Sequence, residues 1–162
     1  MAQPKAERPN FKEYGISTKP TGMLDWSWAE EKLIKSRNYW ICTTRPNGNP
    51  HSAPVWGVWM DGELYFSSAG SSAKATNLKK NSAVSVHLES GDEVVIVEGK
   101  ATVVKDKGAL KKLAVAYEAK YPGVRIDQEP LDKSPVFVVM PKKAYAWSEE
   151  SFPNTATRWK FD

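Results

Sequence analysis

Between Tyr39 and Ser68 three runs rich in β-branched and aromatic residues follow one another with almost no chain between them: Tyr39 to Thr44, Ser52 to Met60 and Glu63 to Ser68. The links are Pro46-Asn47-Gly48 and Asp61-Gly62. Links this short leave no length for a crossover helix, so neighbouring runs must pair antiparallel, and the spacing predicts a meander. A parallel, doubly wound α/β fold is excluded for this half of the chain.

The same alternation returns at Ala83 to Glu89 and Val94 to Val104, around Ser90-Gly91-Asp92, and again at Val136 to Met140, Ala144 to Trp147 and Thr157 to Phe161. In Val94 to Val104, the residues Val95, Val97, Ala101 and Val103 share a face with Gly99, which predicts one core side and one wet side. Helical spacing occupies Asp25 to Arg37, where Ser27 and Glu30 form a capping-box pair, and Ala73 to Lys80, and Asp106 to Tyr121 up to the stop at Pro122-Gly123. Val124 to Pro135 reads as a loop. Residues 1–23, with Pro4, Pro9, Pro20 and Gly22, read as an N-terminal arm that orders only by packing on residues 24–162. Six or seven strands with peripheral helices predict a mainly β fold, a small antiparallel barrel whose closure hides its edges.

Gly and Pro together number 10 + 11 = 21 of 162 residues, too few for a low-complexity chain. A single cysteine, Cys42, rules out an internal disulfide and is expected as a small buried hydrophobe; a reducing, cytoplasmic setting is expected with it. The polar N-terminus and the lack of long apolar runs predict neither export nor a membrane span. His51 and His87, the only two histidines, are expected in polar or stacking roles, with no metal bound. Glu30-Glu31 and Glu149-Glu150 are expected in solvent. The net charge of +4 favours anionic partners in general. The lysines concentrate on the expected helices, Lys74, Lys79, Lys80, Lys105, Lys107, Lys111 and Lys112 among them, and a nucleic-acid platform needs basic and aromatic residues interleaved on strands. No nucleic-acid partner is therefore expected.

Two segments carry chemistry. Ser67-Ser68-Ala69-Gly70-Ser71-Ser72-Ala73-Lys74 puts four hydroxyls, a glycine and a lysine where a strand gives way to a helix. Free amides and the positive helix end there suit a phosphate, although a serine-rich turn with one capping hydroxyl fits the same residues. Pro50 to Trp59 holds a proline and Gly57 inside a strand, which marks an edge or irregularity that a flat ring can approach; Trp56 and Trp59 equally suit a core or an interface. No Ser-His-Asp, Cys-His or acid/base pair is evident, so a cofactor is expected to carry any reaction.

The run from Trp40 to Trp56, then Leu64 to Ser68, Lys74 to Leu78, Val86 to Gly91, Val97-Glu98-Gly99 and Ala156 to Phe161, resembles the split β-barrel flavin and deazaflavin oxidoreductases, the pyridoxamine 5′-phosphate oxidase-like proteins. The resemblance implies a homodimer of six-stranded antiparallel split β-barrels, with two cofactors in clefts between subunits. It places the cofactor's phosphate and ribityl chain at Ser67, Ser68, Lys74 and Asn77, and its ring along His51, Ser52, Pro54, Val55 and Trp56. Trp147, Arg158 and Trp159 match a region bordering the cofactor and substrate pocket. Where pyridoxamine phosphate oxidases carry a C-terminal Arg-x-His, this chain reads Arg158-Trp159-Lys160. The resemblance is therefore to the branch that uses the deazaflavin coenzyme F420, or else FMN, to pass a hydride to a planar conjugated small molecule. A barrel that only sequesters a flavin, deazaflavin or haem is the alternative.

Overall fold

In a computed structural model, among the described residues 3–126 and 130–162, the chain forms nine strands and four α-helices. In order they are β1 (Lys5–Glu7), α1 (Trp26–Lys35), β2 (Asn38–Thr44), β3 (Pro50–Trp56), β4 (Val58–Met60), β5 (Glu63–Ser67), α2 (Ala73–Lys80), β6 (Ala83–His87), β7 (Glu93–Val103), α3 (Lys107–Lys120), β8 (Val136–Ser148), α4 (Phe152–Thr155) and β9 (Thr157–Lys160). Residues 1–2 of the expected arm and 127–129 of the expected loop lie outside the described residues.

Every pairing is antiparallel, along the path β1-β9-β8-β7-β6-β2-β3. The sheet branches at β8. One edge of β8 runs along β7, while the other pairs first with β5 (Val136 to Val139) and then with β9 (Lys143 to Ala146). β5 in turn pairs with β4. This is the split antiparallel barrel expected from the sequence, but it is not closed: the β-ladder path ends at β3, which pairs with β2 alone. β3 carries Pro50 and Pro54, which have no N–H to donate, as an end strand tolerates.

The expected meander is two hairpins, because the run Ser52 to Met60 breaks at Gly57. A Cβ on Gly57 would lie 2.8 Å from the Tyr65 carbonyl oxygen. The Gly57 backbone is held from outside the sheet: its N–H donates to the Tyr121 hydroxyl (3.0 Å), and its carbonyl accepts from Lys120 Nζ (3.0 Å). The Asp61-Gly62 turn forms as expected, with φ of 55° and 77° in the left-handed region that such two-residue turns demand. The two C-terminal strands expected around residues 136 to 147 are one, β8, running through Pro141. Pro141 faces Gly99 at a bulge in β7, where a Cβ would lie 2.1 Å from the Met140 carbonyl oxygen, so the irregular partner absorbs the proline.

Two cores result. The larger, between the sheet and α1, contains Trp26, Leu33, Tyr39, Ile41, Phe66, Phe137 and Trp159; the smaller, under α3, contains Val58, Tyr65, Leu113, Tyr117 and Tyr121. Val103, expected on the core face, is exposed at the end of β7, and Val104 is buried instead. Ser27 forms no capping box, because α1 starts at Trp26 and Asp25 holds the N-cap position without a side-chain bond. Ser72 does cap α2 by accepting from Ala75 N–H (3.2 Å). The N-terminal arm packs as a strap: β1 adds a strand beside β9, and the Arg8 guanidinium donates to the carbonyls of Lys19, Thr21, Asn154 and Ala156 at 2.7–2.9 Å.

Candidate cofactor site

The end of β5 and the start of α2 form a corner whose shape is set by short-range bonds. Ser68 N–H donates to Pro135 O (3.3 Å) and Gly70 N–H to Lys133 O (2.7 Å), which ties the turn to the segment preceding β8. The Ser67 hydroxyl is engaged weakly with the Ser134 and Pro135 carbonyls (3.4 Å each), and Ser68 Oγ lies 2.8 Å from Ser72 Oγ. Three of the hydroxyls thus hold the turn. What the corner offers outward is charge. The amides of Ala73 and Lys74 are in the first turn of α2, where no intrahelical acceptor exists. The half-buried Lys74 ammonium has no hydrogen-bond or ion-pair partner among the described residues.

Asn77, one turn on, borders the hollow between α2 and the β2–β3 turn but is bonded inward. It is buried at 2 % exposure, and its Nδ2 donates to Thr43 Oγ1 (2.9 Å), which lies 3.5 Å from His51 Nδ1. This chain of side chains seats α2 on β2 and β3. Facing α2 across an open hollow of about 360 Å³ is the β2–β3 turn, with Arg45 and Asn47 opposite Ala73 and Thr76. Lys74 is not among the residues lining this hollow; Arg45 brings to it a positive charge that sequence reasoning missed. Its proximity to α2 arises only in the folded chain, so no local pattern announces it.

Along β3, Ser52, Pro54 and Trp56 are exposed on one face, while Val55 is buried on the other. Cys42 lies on this outer face, half-buried, with Sγ 3.3 Å from Ser52 Oγ. That corrects its expected place in the core: the alternation of β2 turns Tyr39, Ile41 and Thr43 inward and Cys42 out. His87 stacks on Trp40 (6.1 Å, 4°), the stacking role expected of it. Trp56 lies flat on Tyr121 (5.1 Å, 8°) with the Arg37 guanidinium 5.4 Å from its ring. Beneath it Lys120 donates to the Tyr39 hydroxyl (2.8 Å), and burial pushes the Lys120 pKa down to about 8.

The third expected group does not join the other two within one chain. Trp147 packs edge-to-face on Phe152 (5.6 Å, 76°). Arg158 is spoken for by Glu7 on β1, at 2.7 Å. Trp159 is 1 % exposed against Trp26, so its ring belongs to the core and is out of reach of a ligand, which corrects its expected place in the pocket. Ser67 pairs with Val136, and Trp147 lies eleven residues further along the same strand, about 35 Å of extended chain at ~3.3 Å per residue.

The open, branched antiparallel sheet with a cationic strand-to-helix corner defines a split-barrel protein. Residues 29–148 match the pyridoxamine 5′-phosphate oxidase family, and the chain belongs to it. Among solved structures it is similar to the conserved hypothetical protein Rv2991 from Mycobacterium tuberculosis, with 26% identity over 77% of this chain and 85% of that one and a TM-score of 0.66. It is similar in fold to an F420 reductase (22% identity, 70% of this chain and 94% of that one, TM-score 0.55) and to HutZ, the haem storage protein of Vibrio cholerae (15% identity, 69% and 86%, TM-score 0.60). No curated protein matches the chain. Among the described residues no helix is long and apolar enough to cross a membrane.

Proposed function

We propose that this chain is an oxidoreductase that holds a phosphorylated flavin-type cofactor, the deazaflavin coenzyme F420 or FMN, at the β5–α2 corner. The observation that carries the reading is the half-buried Lys74 ammonium, without a partner among the described residues, beside two first-turn amides. A phosphate fits that donor set. Lys74 and the amides of Ala73 and Lys74 would hold it, Ser67 and Ser68 would shape the turn around it, and Arg45 would add charge from across the hollow. The outer face of β3 at Pro54 and Trp56, with the buried Val55 between them and His51 and Ser52 alongside, would support the ring. When bound and reduced, such a cofactor supplies a hydride to an electron-poor double bond of a planar substrate. The chain's own part is to fix position and to leave the ring's outer face open to that substrate.

Two observations support a homodimer as the working unit. The first is the distance between the corner and Trp147, which lets both serve one ligand only when they come from different copies. The second is a row of half-exposed or exposed side chains across five strands, Pro54, Trp40, His87, Ile96 and Tyr145, placed side by side by the register of the sheet. A second copy seated on that row is proposed to complete the site, with Trp147 facing the substrate.

Titrating the purified protein with FMN and with F420, followed by tryptophan fluorescence, is expected to give saturable binding that Lys74→Ala weakens by about 10- to 100-fold, the worth of a charge-assisted contact. Unchanged affinity in Lys74→Ala would remove the anchor. Reduction of a quinone or enone by the loaded, reduced protein is the expected turnover; saturable binding without it would assign a storage role instead.

A further inference from the structure

On the side of the molecule formed by α1 and the β4–β5 turn lies a hollow of about 440 Å³, within the range of small-molecule sites and lined by none of the residues assigned to the cofactor. Its walls include Trp26 and Trp59, which are otherwise buried, the ring of Phe161, packed edge-to-face on Trp26 at 5.1 Å, and the exposed Ile34. Two carboxylates line it. Asp61 is neutralised by an ion pair with Lys112. Glu30 is not: the half-buried carboxylate accepts from Trp59 Nε1 (3.1 Å) and has no cationic partner among the described residues. The indole bond fixes Glu30 beside the aromatic walls, and a neutral donor leaves its negative charge uncompensated.

We infer that this hollow is a second small-molecule site, one that takes a compact organic cation, a protonated amine carried on an apolar or aromatic body, with Glu30 as counter-ion and Trp26, Trp59 and Phe161 as apolar and cation–π walls. A carboxylate rejects the phosphorylated anions proposed for the other corner, and indole faces attract a cation more strongly than a neutral group of the same shape. The two sites therefore select opposite charge, and this inference stands independently of the cofactor reading.

The probes are 4-fluorobenzylamine, protonated at neutral pH, and 4-fluorobenzyl alcohol, its neutral counterpart in size, each followed by ¹⁹F line broadening on the full-length protein. The amine is expected to titrate saturably, to shift the Trp59 indole N–H resonance, and to bind at least about tenfold more tightly than the alcohol. Glu30→Gln keeps an acceptor oxygen for Trp59 Nε1 and removes the charge; it is expected to bring the amine down to the level of the alcohol. Equal binding of the two probes, amine affinity unchanged in Glu30→Gln, or an unmoved Trp59 resonance would each overturn the assignment.

Discussion

Lys74 and Asn77 sit one turn apart on the same short helix and do opposite work. The half-buried Lys74 has no partner among the described residues, while Asn77 spends its donor on Thr43 inside the fold. Asn77 therefore supports the site by seating α2, and its worth is testable without any ligand. Thr43→Val preserves shape but removes the acceptor, leaving a buried amide unsatisfied, so the variant is expected to lose about 1–3 kcal/mol of stability by urea denaturation. A midpoint equal to that of the native chain would show that the bond carries no weight. Sequence reasoning anticipated the strand-to-helix junction and its serine cap because the chemistry of a helix start is local: the cap, the free amides and the first-turn charge all lie within eight residues. It misplaced Cys42 and Trp159, since a small thiol and a large ring are compatible with either face of a strand. It missed Arg45 because what makes that residue matter is the helix facing it across the hollow.

At the scale of elements, what pairs locally was legible and what is decided from far away was not. The Asp61-Gly62 hairpin and the length of α2 came through unchanged; Gly57 broke an apparently continuous strand because Tyr121, 64 residues later, binds its N–H. The strap is a second case. β1 lies on β9 through Glu7, which sits between Lys160 and Arg158. The hydrogen bond from Lys160, then the Arg158 charge, hold the Glu7 carboxyl below the usual carboxylate range. Arg158 Nε is buried without an acceptor, so charge more than hydrogen-bond alignment binds the pair. A carboxylate whose folded pKa is depressed stabilises the folded arrangement above its ordinary pKa of about 4.3 and loses that contribution as pH falls through the lower folded value. Glu7→Gln should therefore reproduce at pH 7 what acid does to the native strap. Faster exchange of the Ala6 amide in the variant at pH 7 is expected, since Ala6 lies between Lys5 and Glu7 on the strand that the Glu7 ion pairs hold against β9. The difference in Ala6 amide protection between native and variant chains should close as pH drops towards 3. Equal Ala6 exchange rates at pH 7 would show that β1 pairing and the Arg8 bonds hold the strap without help from Glu7.

For the whole molecule the decisive fact is that the sheet stays open. Closure would have hidden every edge within one chain; instead the path ends at β3, and the row Pro54, Trp40, His87, Ile96 and Tyr145 crosses five strands with its side chains only partly covered. A face of mostly aromatic groups bordered along β7 and β8 by the exposed Glu98, Lys100 and Lys143 suits an isologous contact, because a two-fold axis lays the same row against itself. The proposed contact and the proposed cofactor site are coupled, since only the second copy can bring Trp147 to the α2 corner. Light scattering on the eluting protein is expected to give twice 18.1 kDa, or 36.2 kDa. Ile96→Arg, a half-exposed position at the centre of the row, should place like charges against each other across the axis and yield a folded monomer. That monomer keeps Lys74 and the α2 amides, so it should retain weak binding of inorganic phosphate while losing tight binding of FMN or F420 and all turnover. A native chain that elutes at 18.1 kDa and still binds the cofactor tightly would mean that one open sheet holds the ring unaided, and the distance between Trp147 and the corner would then exclude Trp147 from the site altogether.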